Sequence, residues 1–430
     1  MKTPAEQALG AAYAAARASL PGKGSVAALR DDAFRAFEAR GLPHRRVEEW
    51  KYTDLRVLMR EAAPLAAPPD AAAKQRAREA GKMLAGVETR RIVFTNGAFA
   101  PDLSDLSAEP GLSIGSLAEA LAKGEAFVAQ HLGRTFATDD VAVALNTALM
   151  GDGAVIRVAA GAEIKRPIHL VFATGGDAPS AAFIRSLVVV EKGAKATIVE
   201  DHESDAAQVN AVIELTVGDE AQLDYFKLTR ARNLHIASLM AAIGARAQFR
   251  SFAFTRDSAV VRNQSFVRFA GEHTHGALRG VSLLRGKEHV DTSLLIDHAV
   301  PHCESREQFK SVLDDESHAV FQGKIVVEPH AQKTDAKMMT RALLLSDTAE
   351  ADNKPELEIF ADDVVCGHGA TAGALDPGLK FYLMSRGISD KEAEALLIQA
   401  FIGETVEEIA HDGIREALMN AAIAWLGARG

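Results

Sequence analysis

From Gly151 to about Cys366 the chain alternates apolar and polar positions with a period of two, is rich in Val, Ile and Phe, and is punctuated by glycine. Such alternation puts successive side chains on opposite faces of an extended backbone, so the whole stretch predicts strands. Glycine also returns in similar settings: Gly161-Ala-Glu-Ile, Gly193-Ala-Lys-Ala-Thr-Ile, Gly218-Asp-Glu-Ala-Gln-Leu, Gly244-Ala-Arg-Ala-Gln-Phe and Gly271-Glu-His-Thr-His, at intervals of 32, 25, 26 and 27 residues. One strand-forming unit and one turn glycine per repeat describe a solenoid whose coils stack on one another. Helical text is nearly absent from this region, which excludes βαβ units, and Asn-Gly or Asp-Gly hairpin signals are scarce, which disfavours an antiparallel sandwich. A mostly β protein with a parallel β-helix core is expected. Its terminal coils present unpaired edges that must be covered or used for pairing.

The flanks read differently. Ala12 to Ala16, Ala27 to Ala39 and Ala71 to Leu84 are rich in good helix formers, with breaks at Pro21-Gly22 and Gly41-Leu42-Pro43. Arg91 to Phe99 reads as a hairpin about Asn96-Gly97, followed by short helices over Ile114 to Ala122 and Val141 to Met150. Between the first helices, Trp50 and Tyr52 could anchor a partner, but a hydrophobic mini-core with a charged rim is the simpler reading. After Leu375 the text is helical again. Asp376-Pro377 opens one helix that Gly387 ends. Ser389-Asp-Lys-Glu392 is a capping box opening another, with an apolar stripe of Ala393, Leu396, Leu397, Ala400 and Phe401. A further helix carries Val406, Ile409, Ala410 and Ile414 and runs on to Trp425. The expected organisation is a helical N-terminal domain over residues 1–150, a β-helix over 151–373 and a helical C-terminal domain over 374–430.

Composition narrows the function. At 430 residues with 48% hydrophobic content the chain can bury a large core in two or three units. A net charge of −10 without a dense Lys/Arg tract argues against nucleic acid and for proteins or small molecules as partners. Glu6 and Arg17 interrupt the Ala-rich start, and no later run reaches membrane-spanning length, so a soluble cytoplasmic protein is expected. The two cysteines, Cys303 and Cys366, allow no disulfide framework and fit a reducing compartment. They also cannot make a four-thiolate site alone.

The densest candidate chemistry is ADDVVCGHGATAG, from Ala361 to Gly373. In an extended run Cys366 and His368 point to the same face, while Gly367 and Gly369 leave the backbone bare enough for a cluster, a metal or another chain. Taken by itself, the pair reads more simply as a core thiol and a core imidazole. Eight of the fourteen histidines fall between Glu272 and His368: His273, His275, His289, His298, His302, His318, His330 and His368. They could ligate a metal or merely hydrogen-bond along a ladder, and only His273 and His275 have a short spacing, with nothing to complete a site. Gly280 to Glu288 is not a phosphate loop, because Glu288 stands where Ser or Thr is needed, so no ATP site is expected. No nucleophile elbow, zinc-protease helix or dinucleotide fingerprint occurs. Asp314, Asp315, Asp362 and Asp363 leave one alternative, a β-helix enzyme acting on a carbohydrate or other small substrate.

Seven stretches taken jointly resemble the SufD family of iron–sulfur cluster assembly proteins: Glu48 to Thr53, His298 to Cys303, Phe321 to Ile325, Gln332 to Asp335, Arg341 to Ser346, Lys354 to Glu358 and Cys366 to Thr371. The likeness covers nearly the whole chain. It implies a right-handed β-helix between helical domains, a non-catalytic scaffold, a heterodimer with a SufB-like paralogue through the β-helix, and a SufC-like ATPase docked on the C-terminal helices. By the same resemblance His368 matches a metal-ligating histidine at the subunit interface, where a partner cysteine helps hold a nascent cluster, and Cys366 matches a nearby family cysteine. The low cysteine count is that of SufD rather than SufB. A homodimer is also compatible with the resemblance, which leaves open whether reduced flavin binds.

Overall fold

A computed structural model describes residues 2–205 and 207–428. Its strands wind alternately into two sheets of ten and nine strands, all parallel except at one end. Each repeat therefore holds two strands, where the glycine echo suggested one. The second strand of each coil escaped notice because its corner turns on Asp257, Gly286 and Asp315, at φ of 49°, 63° and 55°, so glycine recurs at only one of the two corners.

At the other corner a stack of left-handed residues links coil to coil. Glu220, Arg246, His273, His302 and Lys333 all sit at φ between 54° and 63°. The amides of four of them reach the next coil, as in Arg246 N–H to the Glu272 carbonyl at 2.8 Å and Lys333 N–H to the Asp363 carbonyl at 2.7 Å. The recurring glycines beside this stack are needed for close approach: a Cβ on Gly218 would stand 2.8 Å from the Lys192 nitrogen, and one on Gly244 2.7 Å from the Asp219 nitrogen. Inward positions fill the lumen with Val, Ile, Leu and Phe, among them Ile198, Leu223, Phe249, Ile296 and Ile325. Burying such surface is the main driving force of the fold.

The helical segments cover outer faces. Near the N-terminus, Leu9, Phe34, Phe37, Trp50 and Leu145 pack against Phe183, Leu234 and Ile236 of the second sheet. Trp50 is a core residue, as the simpler reading held. Its indole N–H donates to Asp140 at 3.2 Å, and the Arg262 guanidinium lies 3.9 Å above its ring. At the C-terminus, Ile398, Ile402, Val406, Ile414, Leu418 and Trp425 cover Phe226, Phe252, Phe254 and Val312 of the first sheet. The helix Asp390–Val406 does begin with the Ser389–Glu392 capping box, but it buries Ala393, Ile398 and Ile402 and leaves Leu396 exposed. Its face is set by Ile398, Ile402 and Val406, the larger side chains the sheet can accept. The last helix starts at Asp412, capped by His411, later than the apolar spacing implied.

The N-terminal end of the solenoid is closed. Strand Arg90–Thr95 pairs parallel with Ile168–Thr174 and antiparallel with Ala98–Phe99, through a turn with Asn96 and Gly97 at φ of 50° and 75°. The second sheet ends on Leu112–Ser116, a strand where a helix over Ile114 to Ala122 was expected. Pairing of Ile114 with Ile156 holds it extended, and the helix Leu117–Lys123 follows, capped by Ser116. No helix among the described residues is long and apolar enough to cross a membrane.

Candidate functional site

Among the described residues, the opposite end of the solenoid has no such cover. Its last coil consists of Glu350–Ile359 and Val365–Gly373, the outermost strands of their sheets. Neither strand has a buried residue, whereas every other long strand of the solenoid does. The coil is pinned from below by the ladders to His318–Val327 and Asp335–Leu344. Above, its backbone donors and acceptors have no strand among the described residues to pair with. Phe360 and Val365 are 60% and 61% exposed beside these edges. In the helix that follows, Pro377–Ser385, no residue is buried, and Leu379, Phe381, Tyr382 and Met384 face solvent.

Cys366 and His368 lie on this terminal coil. Register stacks Cys366 on Ala336 and His368 on Met338. Ala336 and Met338 are both buried in the lumen core, so the thiol and the imidazole face inward at the mouth of the lumen. Cys366 is half-buried and packs against that core, and burial pushes its thiol up from the ordinary value. His368 is exposed. The core reading of the pair is thus half right for the cysteine and wrong for the histidine.

Two coils below His368 in the same inward column is Glu307, which pairs with Met338. It is 1% exposed, neither carboxyl oxygen has a hydrogen-bond partner among the described residues, and burial pushes its pKa up to about 8. Beside it Ser305 hydrogen-bonds the Nε2 atom of buried His298 at 3.0 Å, and burial holds that imidazole down at about 3. Sequence reasoning missed Glu307. The signal was the alternation itself, which puts Glu307 in phase with Cys303, Ser305 and Phe309.

The remaining candidates do not gather here. Cys303 is fully buried at a corner, its thiol raised by burial and donating weakly to the Gly271 carbonyl at 3.4 Å. The rings of His273 and His302 stack at 4.8 Å on the left-handed corner, and His275 lies 3.4 Å from Glu304. His289 and His318 meet on the outer face of the second sheet, and His330 is exposed in a turn. Among the described residues no three His, Cys, Asp or Glu side chains are gathered to hold a metal. The carboxylate pairs are also separated: Asp314 and Asp315 follow Glu304–Leu313 at one corner, while Asp362 and Asp363 precede Val365–Gly373 at the opposite one. A two-carboxylate centre would need them on one cleft.

A solenoid closed at one end and bare at the other, with a cysteine and a histidine at its open mouth, defines a class of β-solenoid proteins with helical wings. The comparisons with known proteins are specific. Residues 172–401 match the model of the SUF system FeS cluster assembly SufBD core domain, and residues 5–170 match that of the SufBD protein N-terminal region. An iron–sulfur cluster assembly SufBD family protein of Synechocystis is 34% identical over 86% of this chain and 84% of its own length. The iron–sulfur cluster assembly protein SufD of Escherichia coli is 30% identical over 88% of each chain, and SufD of Bacillus subtilis is 28% identical over 64% of this chain and 65% of its own. The chain belongs to the SufBD family of SUF-system iron–sulfur cluster assembly proteins.

Proposed function

We propose that this chain is the scaffold subunit of an iron–sulfur assembly complex, and that its terminal coil forms half of the site where a nascent cluster is held. His368 is the metal ligand from this side and Cys366 a second, and a SufB-like paralogue pairing against the bare edges supplies the rest. The observation that carries this reading is the placement of Cys366 and His368, both inward-facing, on the one coil whose edges are unpaired. A site split between subunits suits a cargo that must leave, since separating the chains removes ligands that no single chain can replace. Reduced flavin, if it binds, has no assigned residues here.

A SufC-like ATPase docks on the C-terminal helices in this reading, supported by the exposed Leu379, Phe381 and Tyr382 of Pro377–Ser385. ATP-driven movement there reaches the solenoid through Glu404, which pairs with Arg341 on the strand adjoining the terminal coil and with Lys310 one coil deeper. The role of the chain is to position and release, with no catalysis of its own.

The test is His368→Ala in the co-purified complex, reconstituted anaerobically with iron and sulfide. The complex assembles as before, while bound iron and the cluster absorption fall at least tenfold. Normal loading by that variant overturns the assignment.

A further inference from the structure

The lumen is not filled along its whole length. One inward column of the first sheet runs Glu200, Lys227, Ala253, Gly280 and Phe309, each in register with the next. Ala253 and Gly280 are the smallest members, and the Phe309 ring lies over Gly280, where an added Cβ would stand 2.7 Å from it. Between this column and the second sheet a cavity of about 30 Å³ remains. Ser251, Ala253 and Ser265 face inward, in phase with Phe249 and Val267, yet are only half-buried because they border this space.

The walls of the cavity carry polar groups with nothing to bond. Lys227, 7% exposed, stands 3.9 Å from Glu200, beyond hydrogen-bond reach, and has no hydrogen-bond partner among the described residues. The hydroxyls of Ser251, Ser265 and Thr292 border the same space and are equally without partners among the described residues. Glu200 is fully engaged: it accepts from the Tyr225 hydroxyl, and its other oxygen lies 2.9 Å from His202 Nε2. Burial opposes its charge, but Lys227 and His202 outweigh burial and hold the carboxyl down at about 2. Buried donors left unmet are rare because they are costly, so something polar occupies the cavity.

The chemistry of the walls selects the occupant. Beside an ionised Glu200, an anion would leave an uncompensated negative charge whether or not Lys227 keeps its proton. A metal ion finds no free carboxylate, since both Glu200 oxygens are taken. A neutral molecule that both accepts and donates fits every group, and the volume sets its size: roughly 10–15 Å³ of such space holds one water. We infer that the chamber is a built site for about two ordered water molecules, hydrogen-bonded to Lys227 Nζ and to the hydroxyls of Ser251, Ser265 and Thr292. These waters are the solvation shell of the Glu200–Lys227 pair, carried inside a rod that is otherwise lined there by Ile213 and Leu239. The site is separate from Cys366 and His368 and stands whether or not that pair holds a cluster.

Water deuteron relaxation dispersion on the full-length chain counts internal waters of long residence. Ala253→Val adds carbon to the chamber without touching a polar group, and the dispersion amplitude falls by about two waters while circular dichroism shows the fold kept. An unchanged amplitude in that folded variant overturns the inference. Crystals of the wild-type chain supply a second arm that needs no variant. Density for two waters within hydrogen-bond distance of Lys227 Nζ is expected, and no anomalous peak appears there after a bromide soak. An empty chamber, or bromide seated on Lys227, overturns the inference.

Discussion

Lys310 buries its whole side chain under the helix Asp390–Val406, and its ammonium reaches the Glu404 carboxylate at 2.6 Å while also donating to the Phe401 carbonyl. Arg341 shares Glu404 at 3.3 Å, and Arg279 holds Glu408 at 3.1 Å. Three neighbouring strands of the first sheet are thus fastened to this helix and to the residues just past its C-terminal end. Two of them carry Glu307 and Met338 on their inner faces, in line with His368.

The two partners differ in what their loss leaves behind. Glu404→Ala strips a buried ammonium of its counter-charge, yet water can enter because Glu404 is 59% exposed. The cost is about 1–2 kcal/mol. Lys310→Met keeps the packing without the charge and is close to neutral. Urea denaturation of both variants checks this, and the reverse order would refute it.

Glu307 makes stability depend on pH with a definite sign. Its folded pKa of about 8 lies above the ordinary 4.5 of a glutamate, so the folded chain holds this proton more tightly than the unfolded one. Its contribution is fully present below about pH 4.5 and is lost as pH rises through 8. Glu307→Gln, which cannot ionise, gains nothing over wild type at pH 4.5 and gains a few kcal/mol, about 3–5, at pH 8.5. Denaturation series across that range give the increment. An increment flat in pH would mean the carboxyl is already ionised in the fold.

The two thiols separate in reactivity. Both are raised by burial, but Cys366 is half-buried at the open end and Cys303 is sealed at 0% exposure. Iodoacetamide at pH 8 modifies one thiol at least a hundredfold faster than the other, and Cys366→Ser removes the fast phase. Fast labelling that survives in Cys366→Ser would contradict the burial of Cys303.

Two corner glycines have different reasons to be glycine. At Gly244 an added Cβ meets the Asp219 backbone at 2.7 Å, so Gly244→Ala must push neighbouring coils apart and costs about 3 kcal/mol or more. At Gly193 the space is open and only the φ of 67° objects, so Gly193→Ala costs about 1–2 kcal/mol. Thermal midpoints rank the pair, and a larger loss at Gly193 would reverse the assignment.

Period-two alternation and the glycine echo were enough to read a stacked-coil solenoid, and Ser389 with Glu392 marked a true helix start. The count of strands per coil was hidden because Asp257 and Asp315 do at one corner what glycine does elsewhere. Long-range register hid more. His289 and His318 are 29 residues apart and become neighbours only through the ladder. Thr53 joins them from 236 residues away, which no local pattern encodes. Cys366 and His368 were legible as neighbours two residues apart. That theirs is the coil without a cover follows only from where the sheets stop.

In a stacked array each layer is held by the layers on both sides, and the last one by a single neighbour. The coil carrying Cys366 and His368 is therefore the easiest region of the rod to deform, and its amides will exchange with solvent before those of the middle coils. A partner leaning on that rim bends a hinge already loose, while the rest of the barrel stays rigid beneath it.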